Sequence, residues 1–448
     1  MAWKRLPLQS CHKRRRSDVI RSIANYAAAV RLFSRDAWMS ILVQASLGFC
    51  YYGLYAVLFN LYVLRLGYDL QFVSLINAAG QLGFAVSSGL TGAISRRWGN
   101  RRMMVAGMVL NLTCPALLAV VRFQAADLQA IWLLATYSLS WIGLAVVIVN
   151  IIPYMVAVST SQDRNHLFAV VGAILPLSGF VGSLFAGLLP GLFSRTLAVS
   201  LSQPEPYRYP LLLAAVFMVP GFAAMLATRS LVSNDQNSQL GESRQMPAPL
   251  AVIALLTLVM LLVRMGEGAA RMFFNAYLDT ALNVPVTVIA SLAAAGQLIA
   301  VPAALSAPML ESRFGLRRTV ALGSMALAMA LLPLALIARW QAAGLSLIGV
   351  MALVSITVPA FGVYHQTVVI TRWRTAMSGA TTMALGLSWS IIALLGGFMI
   401  TRSGYNQFFL IGTFFTALGT MLFLLFAPHK KAIEPETTVS GALELARE

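Results

Sequence analysis

Arg264, Glu267, Arg271 and Asn275 follow one another at steps of three, four and four, so on a helix they share one face. The residues before them, 245–263, carry no Asp, Glu, Lys or Arg, and the apolar stretch resumes through Tyr277. A charge at the centre of a bilayer costs about 3 kcal/mol or more, so this face turns to a wet cavity or to its own charges. Glu267 is placed to pair with either arginine. Two guanidinium groups and one carboxylate leave a surplus of one positive charge, which suits an anionic or zwitterionic solute held by Arg264 or Arg271. Glu267 is then the group able to take up and release a proton. The same spacing also serves a self-neutralising cluster that only holds its helix in place.

Composition dictates the elements that carry this cluster. Hydrophobic residues make up 59% of the 448 positions and charged residues 10%, with a mean hydropathy of +0.78. Soluble domains carry about 25% charged residues, so this chain hides its surface in lipid. Charge-free windows fall at 37–64, 70–95, 103–121, 128–162, 165–194, 209–228, 245–263, 280–310, 319–338, 340–371, 375–401 and 403–429. Each of the twelve is long enough for a span, which needs about 20 residues. With the N-terminus inside, cytoplasmic segments hold 24 of the 32 Lys and Arg and the outer loops hold 6. This positive-inside bias accounts for the net charge of +17 without a nucleic-acid partner. The three cysteines match no disulfide framework or metal site, and no phosphate-binding loop of the G-x-x-x-x-G-K-[ST] type occurs. No cofactor and no enzymatic activity are expected.

The halves repeat. Phe59-Asn60-Leu61-Tyr62 recurs as Phe274-Asn275-Ala276-Tyr277, and Ala79-Gly80-Gln81-Leu82 as Ala295-Gly296-Gln297-Leu298. Gly99, in RRWGNRR, returns as Gly315, in SRFGLRR, and Gly107 as Gly323. The offset stays between 215 and 217, so six helices are duplicated. The expected division is a basic cytoplasmic segment with an amphipathic surface helix (1–36), a six-helix bundle (37–228), a cytoplasmic linker (229–247), a second bundle (248–428) and a cytoplasmic tail (429–448).

Duplicated six-helix halves resemble the major facilitator superfamily. The sharpest element is the loop after the second helix, similar to the family's G-x-x-x-D-R-x-G-R-R. Here it reads Gly92-Ala-Ile-Ser-Arg96-Arg97-Trp-Gly99-Asn-Arg101-Arg102, and its second copy Pro308-Met-Leu-Glu311-Ser312-Arg313-Phe-Gly315-Leu-Arg317-Arg318. The glycines permit a tight turn. The family's Asp takes part in a cytoplasmic gate; Arg96 and Ser312 stand in its place, and Glu311 or Asp163 is expected to partner the loop arginines instead.

The resemblance implies an all-α integral membrane protein with twelve transmembrane helices in two pseudo-symmetric six-helix bundles, working by alternating access. It also implies that the first, fourth, seventh and tenth helices line a central site. Their polar residues are Gln44, Tyr51, Tyr52, Tyr55 and Asn60, then Asn150 and Tyr154, then Tyr364, His365 and Gln366. An imidazole can shuttle protons near neutral pH, though a membrane histidine also serves packing. The fifth helix keeps Gly172, Pro176 and Gly179 of the G-x-x-x-G-P-x-x-G element of drug–proton exporters. It has Leu175 where a glycine belongs, and the fourth helix lacks their arginine. The expectation is a monomeric, multi-pass secondary transporter of the plasma (inner) membrane, both termini cytoplasmic, with lipid, an unknown small solute and protons as partners. A lipid or lipid-linked headgroup flippase and a non-transporting sensor or assembly factor stay as alternatives.

Overall fold

The computed structural model describes residues 33–160, 164–229, 249–369 and 373–427. The amphipathic segment expected before residue 33, most of the linker, and the tail lie outside them, as does Asp163. Helices α1 (Arg35–Arg65), α2 (Leu70–Trp98), α3 (Asn100–Ala119), α4 (Ala126–Val158), α5 (Arg164–Thr196) and α6 (Glu205–Ala227) form the first bundle. Helices α7 (Leu250–Ala281), α8 (Val286–Phe314), α9 (Leu316–Leu336) and α10 (Trp340–Val368) open the second. Arg374–Phe426 runs on as one helical stretch except at Gly404, whose φ of 79° and ψ of 170° are not helical. Its 53 residues would reach about 80 Å as a single helix, far beyond the roughly 30 Å of hydrocarbon. It is therefore two spans, α11 (374–403) and α12 (405–426), which makes twelve membrane-length helices among the described residues.

Side-chain caps fix several helix starts. Ser34 accepts from the Ala37 amide at 3.2 Å and donates to the Val158 carbonyl at 3.1 Å, tying the start of α1 to the end of α4. Asp69 accepts from the Phe72 amide at 2.9 Å and starts α2. Turns are short, so neighbouring helices run antiparallel. We call the side where α1 begins and α12 ends proximal and the opposite side distal.

Packing obeys the repeat. Helices α3 and α4 pair as α9 and α10 do, α2 with α4 as α8 with α10, α1 with α5 as α7 with α11, and α3 with α6 as α9 with α12. Two contacts that join the bundles, α2 on α11 and α5 on α8, exchange into each other under the same operation. The turns before α3 and α9 match in detail: Gly99 has φ 85° and ψ 141°, Gly315 φ 80° and ψ 150°. Each donates its amide to the carbonyl four residues back, Ser95 at 2.8 Å and Glu311 at 2.9 Å. Only glycine adopts that backbone without strain.

Two stretches leave the regular α pattern, Gly48–Tyr55 in α1 and Tyr277–Ala281 in α7, both π-helical. Such i→i+5 turns alter the angular spacing of side chains. In α1 this sends Tyr51 and Tyr55 into the first bundle: Tyr51 Oη donates to Asn111 Oδ1 at 2.5 Å and Tyr55 Oη to the Pro115 carbonyl at 3.3 Å.

Candidate functional site

At mid-depth α7 buries the charges the sequence singled out. Glu267 is 1% exposed and sits between two guanidinium groups. Its Oε2 is 2.7 Å from Arg264 Nη1, and its Oε1 is 2.8 Å from Arg271 Nε. Flanking Gly268 lets α11 close in, since a Cβ there would stand 2.9 Å from Trp389 Cδ1 and Ile392 Cγ2. One positive charge of the three stays uncompensated.

Arg271 alone of the trio reaches a cavity of about 140 Å³ between the bundles. Arg264 and Glu267 lie buried behind it. The other walls come from α1 (Tyr51, Tyr52, Ala56, Asn60), α2 (Asn77, Gln81, Phe84), α4 (Tyr137, Trp141, Leu144) and α11 (Leu385, Trp389). The guanidinium of Arg271 lies 5.9 Å from the centre of the Trp389 ring. Of the expected site residues, the structure thus brings Arg271, Tyr52 and Asn60 together at the cavity, with Tyr51 beside them.

Above the cavity the repeated asparagines clasp the bundles together. Asn60 donates to the Met272 carbonyl at 2.7 Å, and Asn275 donates to the carbonyls of Ala56 at 2.5 Å and Val57 at 3.3 Å. Residue 57 is to 272 as 60 is to 275, both 215 apart, so the clasp is reciprocal. A further chain leads away from it: Tyr137 Oη donates to Asn77 Oδ1 at 3.0 Å, and Asn77 Nδ2 donates to Asn60 Oδ1 at 2.9 Å. Hydrogen bonds thus run from α4 across α2 and α1 to the backbone of α7, next to Arg271. At the distal end Arg65 binds Asp279 through both terminal nitrogens, at 2.9 and 2.7 Å.

The remaining candidates lie elsewhere. Asn150 donates to the Val146 carbonyl of its own helix at 2.8 Å, and Tyr154 to the Arg229 carbonyl at 3.3 Å. Gln44 is buried at the proximal half of α1. Tyr364 and His365 are buried in the second bundle among Phe361 and Phe423, and Gln366 donates to Ser378 Oγ at 2.6 Å near the proximal end. None of these six lines the central cavity.

The loop arginines take carbonyl partners. Arg101 donates to the Thr228 and Leu226 carbonyls at 2.7 and 2.8 Å, capping the end of α6. Its repeat partner Arg317 donates to the Leu424 carbonyl at 2.7 Å, capping α12. Arg97, Arg102, Arg313 and Arg318 are exposed. Glu311, expected as a replacement acid, forms no ion pair among the described residues. A helix C-terminus carries unpaired carbonyls and partial negative charge, so it binds a guanidinium without any carboxylate.

Sequence reasoning missed Asn77, Gln81, Phe84, Tyr137, Trp141, Trp389 and Asp279. Gln81 was in plain view within the repeated Ala-Gly-Gln-Leu. Asn77 lies one turn before it on the same face, and Tyr137 and Trp141 are one turn apart in the fourth charge-free window.

The sequence profile described as Major Facilitator Superfamily matches residues 40–393. No individually curated protein matches the sequence. Among solved structures, a D-xylose–proton symporter superposes with a TM-score of 0.73 at 13% identity, covering 91% of this chain and 100% of that one. The inward-open xylose transporter XylE from E. coli gives 0.67 at 13% identity, with 92% and 98% covered. A POT family transporter in complex with 5-aminolevulinic acid gives 0.67 at 15% identity, with 88% and 96% covered.

Proposed function

The chain belongs to the Major Facilitator Superfamily and is a secondary transporter rather than an enzyme, and from that premise we propose that it carries a small anionic or zwitterionic solute coupled to protons. The observation that carries this reading is Arg271: a guanidinium at mid-membrane, on a cavity between the bundles, with Nη1 and Nη2 free of protein partners among the described residues. Burying it is costly, and an anion in the cavity compensates the surplus charge.

Glu267 links solute to proton. While ionised it holds Arg271 through Nε; a proton on the carboxylate removes that hold and leaves Arg271 to the solute. The two events therefore favour each other, as symport requires. The proton coupling of the xylose symporter and the amino-acid ligand of the POT transporter belong to those proteins, and both fit this chemistry.

Orientation follows from charge. The sequence count of 24 of 32 Lys and Arg in the segments expected inside, among them the loops at 96–102 and 313–318 on the proximal side, supports a cytoplasmic proximal side in a plasma (inner) membrane. The asparagine clasp and the Arg65–Asp279 pair then hold the bundles together at the outer face. The cluster at 96–102 and its copy at 313–318 sit on the cytoplasmic rim as topological anchors, with Arg101 and Arg317 as helix caps.

Glu267→Gln tests the coupling, because the amide mimics the protonated acid. Uptake driven by a pH gradient into proteoliposomes should vanish while solute exchange persists. Folded protein with fully coupled uptake would remove Glu267 from the mechanism.

A further inference from the structure

The proposal here rests on the carrier reading and narrows its substrate. Three features of the central cavity restrict what fits. Its volume, about 140 Å³, is close to the roughly 150 Å³ of an engineered protein cavity that takes up benzene. Drug-sized ligands need about 300 Å³ or more. The space therefore favours a small solute.

The walls are flat. Tyr52, Phe84, Tyr137, Trp141 and Trp389 supply ring faces and edges on four helices. Trp141 stands edge-on to both Phe84 and Tyr137, at 6.1 and 6.0 Å between ring centres. Rings pack best against a ring, in offset or edge-to-face contact.

The unpartnered polar groups are mostly donors. Arg271 offers two terminal nitrogens, and Gln81, 2% exposed, makes no hydrogen bond among the described residues although it lines the cavity. Its repeat partner Gln297 donates to the Tyr52 carbonyl at 3.2 Å, so the freedom of Gln81 is particular to this site. Buried donors without acceptors are costly, and a ligand rich in acceptors relieves them.

We propose that this cavity binds a small single-ring aromatic carboxylate as the carried solute. The carboxylate meets the terminal nitrogens of Arg271, the ring lies among the aromatic walls of α2, α4 and α11, and Gln81 meets a polar ring substituent.

Thermal-shift titration of the purified protein tests this with benzoate, benzenesulfonate, benzamide, cyclohexanecarboxylate and acetate. Benzoate and benzenesulfonate should raise the melting temperature saturably. Benzamide, of the same shape without the charge, should not, and cyclohexanecarboxylate and acetate should bind at least tenfold more weakly. Arg271→Gln should lose the benzoate response. Should that variant fail to fold, Phe84→Leu should weaken benzoate more than acetate. Equal binding of benzamide, equal binding of cyclohexanecarboxylate, or no response to any of the five overturns the proposal. Counterflow of labelled benzenesulfonate, which stays charged, separates the two readings. Binding without counterflow upholds the site and overturns the carrier reading. Arg271-dependent transport of another solute, with no benzoate binding, overturns the aromatic carboxylate and leaves the carrier standing.

Discussion

Asn60 and Asn275 perform the same task from opposite bundles, each donating across to the other's helix, whereas Gln81 and Gln297 do not. Gln297 is committed to the Tyr52 carbonyl, and Gln81 is left facing the cavity. The same divergence separates position 52 from 267, which are 215 apart: a tyrosine on α1, a carboxylate between two arginines on α7. Where the bundles must close on each other, symmetry is kept, because a reciprocal contact uses the same surface twice. Where a solute is held, symmetry is broken, since one molecule meets two different walls. Departure from the repeat therefore marks the site more sharply than the repeat does.

Three substitution pairs probe this contrast. The largest effect belongs to the broken position. Glu267→Ala strands two buried guanidinium groups and should cost about 3–5 kcal/mol of stability. Tyr52→Ala, its repeat counterpart, should cost clearly less in the same detergent unfolding assay, and equal losses would erase the asymmetry. Next come the clasps. Asn60→Ala and Asn275→Ala should each weaken distal closure by about 1–3 kcal/mol. Hydrogen exchange at 56–62 and 272–279 would accelerate accordingly. Asn60→Ala should have the greater effect, because it also removes one of the two acceptors of Asn77 Nδ2, leaving the Val73 carbonyl; identical exchange would show that the chain through Asn77 and Tyr137 adds nothing. The smallest effect, and the most symmetric, belongs to the proximal turns. Gly99→Ala and Gly315→Ala should each cost about 1–2 kcal/mol through positive φ alone. No heavy atom lies within 4 Å of a Cβ at either position, so a marked difference between the two melting temperatures would mean the turns are not equivalent.

Most of the fold was legible because hydrocarbon imposes a length on every span and punishes charge. The charge-free windows therefore coincide with helices, and Arg264 did not break the seventh, because Glu267 neutralises it within one turn. The twelfth span was clear in sequence from Arg402, although the backbone interruption falls at Gly404. The site was only half legible. Arg271 and Glu267 stand out because charge in a membrane needs a reason. Asn77, Tyr137 and Trp389 do not, since amides and rings occur in any bundle and only their convergence from three helices gives them a role. Tyr55 was misplaced for a definable cause: regular helical spacing puts it one turn after Tyr52, on the face that lines the cavity, and the π-helical stretch turns it toward α3. The loop arginines show the converse, with carboxylates expected and backbone carbonyls found, which no residue type announces.

Those arginine caps have a mechanical meaning. Arg101 reaches from the first turn of α3 to the last carbonyls of α6, and Arg317 from α9 to α12. Each is a rivet between two helices of one bundle. The chain leaves α6 for the linker directly beyond Thr228, the residue Arg101 holds. A pull on Thr228 would thus fall on α3 and α6 together, so that the first bundle responds as one lever instead of fraying at its final helix.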